Sequence, residues 1–508
     1  MYTYGPNFIL PFCDVIPPTT VIGPLTGWQS SNFTANFTDT DNSGGSGLGK
    51  SFYRVLDFDG TEWRANGSRG FANDNFDNAI INPDWTNHTG AWANTAGYLE
   101  QSDDLETNSN ISAPLTQNLS NRYLYHWNAK IDGSGTNRKA GLHFFSDSAS
   151  LPNRGNSYLV WFSMDDHKLE FYKVTNDVMT LVKSRNYSFV AGQFYDFKLV
   201  YDRISGKMDI YINNIIAESW ADATPIATGN AVSFRTGDAS MTINYFKTFR
   251  SRLPSVTVNV GAGNSNDVRF ENSGPPLSAG KVESIVTDSA GNLSPLVSIP
   301  IDVDWTAPST IAFINDGSGA DIDSTYSSNE LKANWSPSSD PNSGIIKYHY
   351  SIGTSPGATD LVASTDNFMQ MIAINNPLPL VLNQLYYFNV RSENGAGLFS
   401  SVASSNGQML VLNTTSIEEE NTVVGLNLFP NPFNNSAILD YTLTRSEKVQ
   451  VGLYDLLGKE IVSLKNENQA AGNHKITIDA AEHKLSKGLY MVVLKTENTS
   501  AFIKIVFQ

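Results

Sequence analysis

Apolar and polar positions alternate along this chain in short runs, with a period of two instead of the 3.6 of a helix. Such runs are Ser51–Phe58, Arg122–Ile131, Tyr158–Phe162, Phe194–Tyr201, Lys207–Asn213, Met241–Phe249, Tyr386–Val390, Val449–Tyr454 and Tyr490–Leu494. Asn-Gly, Asp-Gly, Ser-Gly and Gly-Asn signals separate them, where the backbone can reverse without steric cost. No window of about 11 residues carries apolar side chains at i, i+3, i+4 and i+7 between helix caps. Strands spaced about 8–12 residues apart predict an all-β, multidomain chain of β-sandwiches.

Two breaks punctuate the pattern. Asp304-Trp305-Thr306-Ala307-Pro308 closes one unit, since proline cannot continue a central strand. Residues 414–424 are polar and acidic, with Glu418-Glu419-Glu420 and no alternation, and read as a linker. Earlier, residues 16–66 read as three strands ending in a hairpin turned at Asp59-Gly60, a half-made sheet with exposed edges.

The chain has 508 residues, which at about 150 per domain predicts three to four domains. Its 27 Phe, 21 Tyr and 9 Trp exclude wholesale disorder. Fifty acidic against 34 basic residues give a net charge of −16, which repels phosphate backbones and argues against nucleic acid as a partner. A single cysteine, Cys13, excludes an internal disulfide and a Cys-built zinc site. No stretch approaches the roughly 20 apolar residues of a transmembrane helix. Residues 1–15 lack the basic and cleavage features of a secretory signal, and are expected to be a linker or the tail of an upstream domain.

Several resemblances sharpen the domain plan. Pro18-Thr19-Thr20, Asp41-Asn42-Ser43-Gly44-Gly45-Ser46-Gly47, Asp288-Ser289-Ala290-Gly291-Asn292-Leu293-Ser294 and Asp304–Pro308 resemble the marks of bacterial Ig-like domains. They imply one discontinuous domain, 16–66 with 253–306, around an insertion at 67–252; two separate small domains are the alternative. In the insertion, Asp74-Asn75-Phe76-Asp77, Trp85, Trp92 and the hairpin Gly192–Asn213 look like a concanavalin-A-like jelly roll. Residues 307–413, with Trp335, Tyr348 and Tyr386, resemble a fibronectin type III sandwich.

The last 84 residues, 425–508, resemble the C-terminal sorting domain of type IX secretion substrates of the Bacteroidota. The matching positions include Pro430, Asn431, Pro432, Gly458, Lys459, Gly488, Tyr490 and Lys504. The resemblance implies the type IX machinery as partner and an extracellular or outer-surface location. Gly488 is expected at positive φ, ahead of the run Tyr490–Leu494. Because export needs a signal in front, Met1 is not expected to be the natural start.

The chemistry is sparse. Seven histidines fall in no metal-binding spacing, and there is no Gly-x-Ser-x-Gly elbow. Glu100, Glu106, Glu170 and Glu218 lie in no Glu-x-Asp-x-x-Glu arrangement, so no catalytic constellation emerges. Binding is better supported, because sugars take aromatic faces and bidentate polar groups on a preformed surface. Trp127, Arg138, His143, Arg154, Asn156 and Trp161 are the candidate glycan-binding residues, for an extracellular polysaccharide or peptidoglycan. Core packing is the competing role for Trp161, Trp85 and Trp92. Alternation over 138–145 puts Ala140, Leu142 and Phe144 on one face and Gly141, His143 and Phe145 on the other. No cofactor is indicated, but calcium is the plausible metal, with Asp74 and Asp77 as candidate ligands; Asp39-x-Asp41-Asn42 and Asp57-x-Asp59-Gly60 supply further hard oxygens in loops, without the Glu of an EF-hand, and Asx-turns are their competing role. Three readings follow: a glycan-binding surface module, the tail of a cell-wall amidase or polysaccharide hydrolase or lyase with its catalytic domain upstream, or an adhesin or spacer stalk.

Overall fold

The computed structural model describes residues 14–274, 276–412, 423–497 and 499–508. Cys13 and nearly all of the expected linker fall outside them. The chain divides into two units, residues 1–410 and 411–508. Among the described residues the single helical element is a 3-10 turn, Gly67–Arg69; the rest of the regular structure is strand.

The first unit contains stacked antiparallel sheets. Leu48–Phe58 pairs with Gly280–Asp288, setting Tyr53 opposite Ser284, although more than 200 residues separate them. A buried ion pair, Arg54 Nε to Glu283 Oε2 at 2.5 Å, crosses the same two strands. They belong to a larger sheet whose order runs Ile215–Ala221, Lys207–Ile212, Tyr195–Asp202, Arg122–Asp132, Ser240–Ser251, Leu48–Phe58, Gly280–Asp288, Val297–Ile301. Ser240–Ser251 makes this continuity possible. Most of its length pairs with Arg122–Asp132, while its last residues Arg250 and Ser251 pair with Tyr53 and Phe52. One sheet therefore serves two cores.

The smaller core packs Ile22, Phe37, Tyr53, Val55, Val258, Val282 and Ile301 beneath a three-stranded sheet of Thr19–Ile22, Phe33–Thr40 and Ser255–Val258. The larger is dominated by aromatic rings: Trp127 stacks on Phe197 at 5.2 Å, and Phe197 on Phe162 at 4.3 Å. Offset rings bury large area with little loss of rotamer freedom. Over the larger core lies a seven-stranded sheet ordered Val178–Asn186, Lys168–Thr175, Ser157–Ser163, Lys139–Ser146, Ala231–Gly237, Asn110–Pro114, Thr86–Thr89.

Strict alternation fails at Phe145 in this sheet. Phe145 has φ 54° and the register slips between His143 and Ser146, so Phe144 and Phe145 both enter the core. A bulge re-aims one side chain in this way.

A third sandwich, ending at Leu410, buries Trp335 beside Tyr348 and Tyr350. The second unit is a two-sheet sandwich. Val423–Phe429, Ser436–Leu443 and Gly472–Asp479 form one sheet; Glu460–Gln469, Glu447–Tyr454, Gly488–Lys495 and Ser500–Phe507 form the other. Gly458 turns a hairpin at φ 80°. Gly488 corrects the expectation: it is not among the positive-φ residues, and it begins a regular strand.

Candidate functional site

The register of the seven-stranded sheet sorts its side chains into two faces. Leu142, Phe144, Tyr158, Val160, Phe162, Leu169, Phe171 and Phe234 face the aromatic core. Cross-strand pairs set Trp161 opposite Gly141 and Glu170, Gly141 opposite Arg235, Leu159 opposite His143 and Tyr172, and His143 opposite Ser233. Directly opposed residues share a face, so Glu170, Tyr172, Trp161, His143, Ser233 and Arg235 gather on the outer one.

Gly141 lies between Trp161 and Arg235, and a Cβ there would run into the Val160 carbonyl oxygen. Without that side chain, the Arg235 guanidinium reaches over the Trp161 ring, 4.9 Å from its centroid. Arg235 Nη1 donates to Asn153 Oδ1 at 2.9 Å, and burial lowers its pKa to about 10. Tyr172 donates to Glu170 Oε2 at 3.1 Å; burial, with the Glu170 charge, raises the phenol to about 12. Arg235 Nε, Trp161 Nε1 and His143 Nε2 are buried without a hydrogen-bond partner. Unsatisfied donors are costly in a protein interior and rare.

Several candidate residues are placed differently from the expectation. Trp127 is fully buried in the aromatic core and has no face open to a ligand. His143 is on the outer face but fully buried, with Nδ1 on Ser157 Oγ at 3.1 Å and burial holding its pKa well below the usual range. Arg154 is fully buried at φ 66°. It spans Asn108 Oδ1 (2.8 Å), the carbonyls of Pro152 (2.5 Å) and Ser109 (2.6 Å), and Ser233 Oγ (3.2 Å). It fastens a loop across the sheet. Asn156 is held by Asp147 at 2.7 Å. Arg138 is paired with Asp165, 2.6 Å from Nη2 to Oδ1. Trp161 retains 5% exposure and is the one candidate in the outer cluster with Arg235 over it.

Sequence reasoning passed over Arg235 and Tyr172. Their signal is polar residues in step with Trp161 on strands whose other positions, Phe234 and Phe171, are core.

Asp74 and Asp77, the expected calcium ligands, differ in burial. Asp74 gives Oδ1 to the Phe76 amide at 2.8 Å and Oδ2 to Trp85 Nε1 at 2.9 Å, and burial raises its pKa to about 6. Asp77 is exposed. Among the described residues the carboxylates that do converge at metal-ligand distances are Asp14, Asp41 and Asp288.

The sorting-motif residues lie in the loop of Pro430–Pro432, in the turn at Gly458 and Lys459, and on the neighbouring strands Gly488–Lys495 and Ser500–Phe507. Asn431 donates from Nδ2 to the Lys504 carbonyl at 2.7 Å, and its Oδ1 accepts the Val506 amide at 2.8 Å. Both bonds fasten the last strand to the loop of Pro430 and Pro432. Lys459 and Lys504 are exposed, and Tyr490 donates to the Ser486 carbonyl at 2.5 Å.

Three solved structures illustrate what the chain resembles. The carbohydrate-binding module CBM66 from Bacillus subtilis is 17% identical, with TM-score 0.28, covering 32% of this chain and 94% of its own. A β-glucanase from Bacillus licheniformis is 13% identical, with TM-score 0.29, covering 36% and 99%. A galectin from Caenorhabditis elegans is 9% identical, with TM-score 0.23, covering 34% and 99%. No curated protein matches the chain in sequence. No helix of the described residues is long and apolar enough to cross a membrane. Residues 427–508 match the family described as "Secretion system C-terminal sorting domain". The C-terminal unit is a type IX secretion sorting domain, which implies export to the cell surface or the extracellular space.

Proposed function

We propose that this chain is an exported accessory protein that holds a glycan on the outer face of its seven-stranded sheet. The observation that carries this reading is the cluster of Arg235 over Trp161 with Tyr172–Glu170 alongside. An aromatic ring, a guanidinium and a carboxylate are the groups that sugar hydroxyls use, and here they gather on one face of the sheet. Export follows from the sorting domain; Ig-like and fibronectin-like spacers in a Bacteroidota protein would present the sheet to an extracellular polysaccharide or peptidoglycan.

The test is binding of the full chain to β-glucans, xylans and peptidoglycan fragments by calorimetry, with Arg235→Ala beside it. Saturable binding that Arg235→Ala abolishes supports the reading. A spacer stalk is the second reading, favoured by the complete burial of Trp127, His143 and Arg154. No binding across the panel would establish it over the first.

A further inference from the structure

The strands that bury Trp127, Phe197 and Phe246 in the aromatic core turn the residues beside them outward. Register sets His126 between Lys198 and Lys247, so the three stand in one row on that outer face. One row further, Leu124 stands between Val200 and Phe249, and these pack with Phe52, Tyr211 and Ile285 in a small apolar cluster of their own. Residues 292–296 line the far side and leave a cavity of about 510 Å³. It is polar at His126, Lys198 and Lys247 and apolar at Phe249, Ile285 and Leu293. That volume suits a small molecule.

At the polar end most groups satisfy one another, and Lys247 stands apart. Lys198, 6% exposed, donates to Asp196 Oδ2 and, at 2.7 Å, to Asn214 Oδ1. His126 Nε2 lies 2.6 Å from Asp196 Oδ1, which also accepts the Tyr245 hydroxyl at 2.7 Å. Burial pushes the imidazole pKa down to about 4, so the ring is neutral at pH 7. The nearby carboxylate of Glu283 is taken by Arg54. Lys247 has no hydrogen bond or ion pair among the described residues, and its ammonium rests over the Tyr245 ring at 4.4 Å. Burial, with the Arg54 charge close by, lowers its pKa to about 8, which leaves it mostly charged at pH 7. A half-buried cation without a counter-ion is costly. An anion entering the cavity removes that cost.

We propose that this cavity takes a small organic carboxylate, its anion on the Lys247 ammonium and its apolar body against Phe249, Ile285 and Leu293. One ammonium matches a single negative charge. The apolar wall favours an organic acid over bare phosphate or sulfate, which would leave that wall uncovered. A sugar acid with its C–H face turned to the wall and an aromatic acid share this chemistry. The cavity lies on the larger sheet, not on the seven-stranded sheet that carries Trp161 and Arg235, and stands independently of that cluster.

Calorimetric titration of the full chain with sodium benzoate and with sodium galacturonate tests the site, with benzyl alcohol and galactose as uncharged controls. At pH 7 at least one acid is expected to bind saturably with Kd on the order of 1 mM. Which acid binds separates the aromatic from the sugar source. Lys247→Met keeps an apolar stem and removes the charge, so binding should weaken about tenfold or more. Wild type at pH 9.5, where the amine is neutral, should bind several-fold more weakly without any substitution, which decides the matter should Lys247→Met fail to fold. Saturation by neither acid, equal binding of the uncharged controls, wild-type affinity in folded Lys247→Met, or unchanged affinity at pH 9.5 overturns the site.

Discussion

The Arg235 guanidinium rests 4.9 Å above the Trp161 ring, reaching across Gly141, which separates their strands. A cation held over an indole contributes about 0.5–2 kcal/mol, near the upper end when desolvated, and burial of the charge opposes that gain. Arg235→Ala should therefore change stability by no more than about 1 kcal/mol while exposing Trp161. Tryptophan emission should shift to longer wavelength, and urea midpoints should stay nearly constant. Gly141→Ala should instead cost about 1–3 kcal/mol by overpacking against the Val160 carbonyl.

Arg54 and Glu283 pair at 2.5 Å across the neighbouring strands Leu48–Phe58 and Gly280–Asp288, with side chains 2% and 8% exposed. Removing one partner strands a buried charge, so Arg54→Met should destabilise by about 3–5 kcal/mol. The double variant Arg54→Met with Glu283→Leu should recover most of the loss, since apolar replacement of both partners leaves no charge behind. Denaturant unfolding of the two variants measures this.

Asp316 is buried beside Asp321 and Asp323, and burial raises its pKa to about 7. The unfolded carboxyl titrates near 3.9. Between those values the folded chain keeps a proton that the unfolded chain has lost. This group's contribution is full below about pH 4 and is lost as pH rises through 7. Asp316→Asn should melt like wild type at pH 4 and higher than wild type at pH 8, by on the order of 1–3 kcal/mol. Calorimetric scans at the two pH values decide it.

In the sorting domain, Gly458 and Gly488 should behave oppositely. Gly458 sits at φ 80°, where a β-branched residue costs about 1–3 kcal/mol. Gly488 has strand geometry and only ordinary contacts, the nearest at 3.9 Å, so Gly488→Val should be tolerated within about 0.5 kcal/mol. A reporter carrying residues 425–508 behind a Sec signal, in a host with the type IX machinery, should be exported with Gly488→Val. It should accumulate in the periplasm at a higher level with Gly458→Val.

The strands and the C-terminal motif were legible because both are local. Alternation over Val449–Tyr454 puts Val449, Val451 and Leu453 inside without reference to anything distant, whereas over Met241–Phe249 it breaks after Ile243, where the register shifts and Phe246 takes the core position instead of Tyr245. The slip at Phe145 was not legible, since a residue at φ 54° breaks period two with no mark in composition. Trp127 and Arg154 carry side chains that suit a sugar, and nothing in their neighbours tells burial from exposure. Asp14 and Asp288 stand 274 positions apart and meet where the segment before Thr19–Ile22 passes the end of Gly280–Asp288. Arg235 becomes conspicuous only when register sets it opposite Gly141.

The sheet that runs through the smaller and the larger core has a mechanical consequence. Chain entering at Asp14 and leaving at Asp304 passes into and out of the same small sandwich, where Thr20 Oγ1 meets Ser284 Oγ at 2.9 Å. Tension along the chain is thus borne across that sandwich while the larger one hangs beside the line of force. A pull on anything the larger sandwich grips enters instead through Ser240–Ser251, as shear along hydrogen bonds to Phe52 and Tyr53. Stretching the chain and pulling on the larger sandwich are separate events for this molecule, resisted by different bonds.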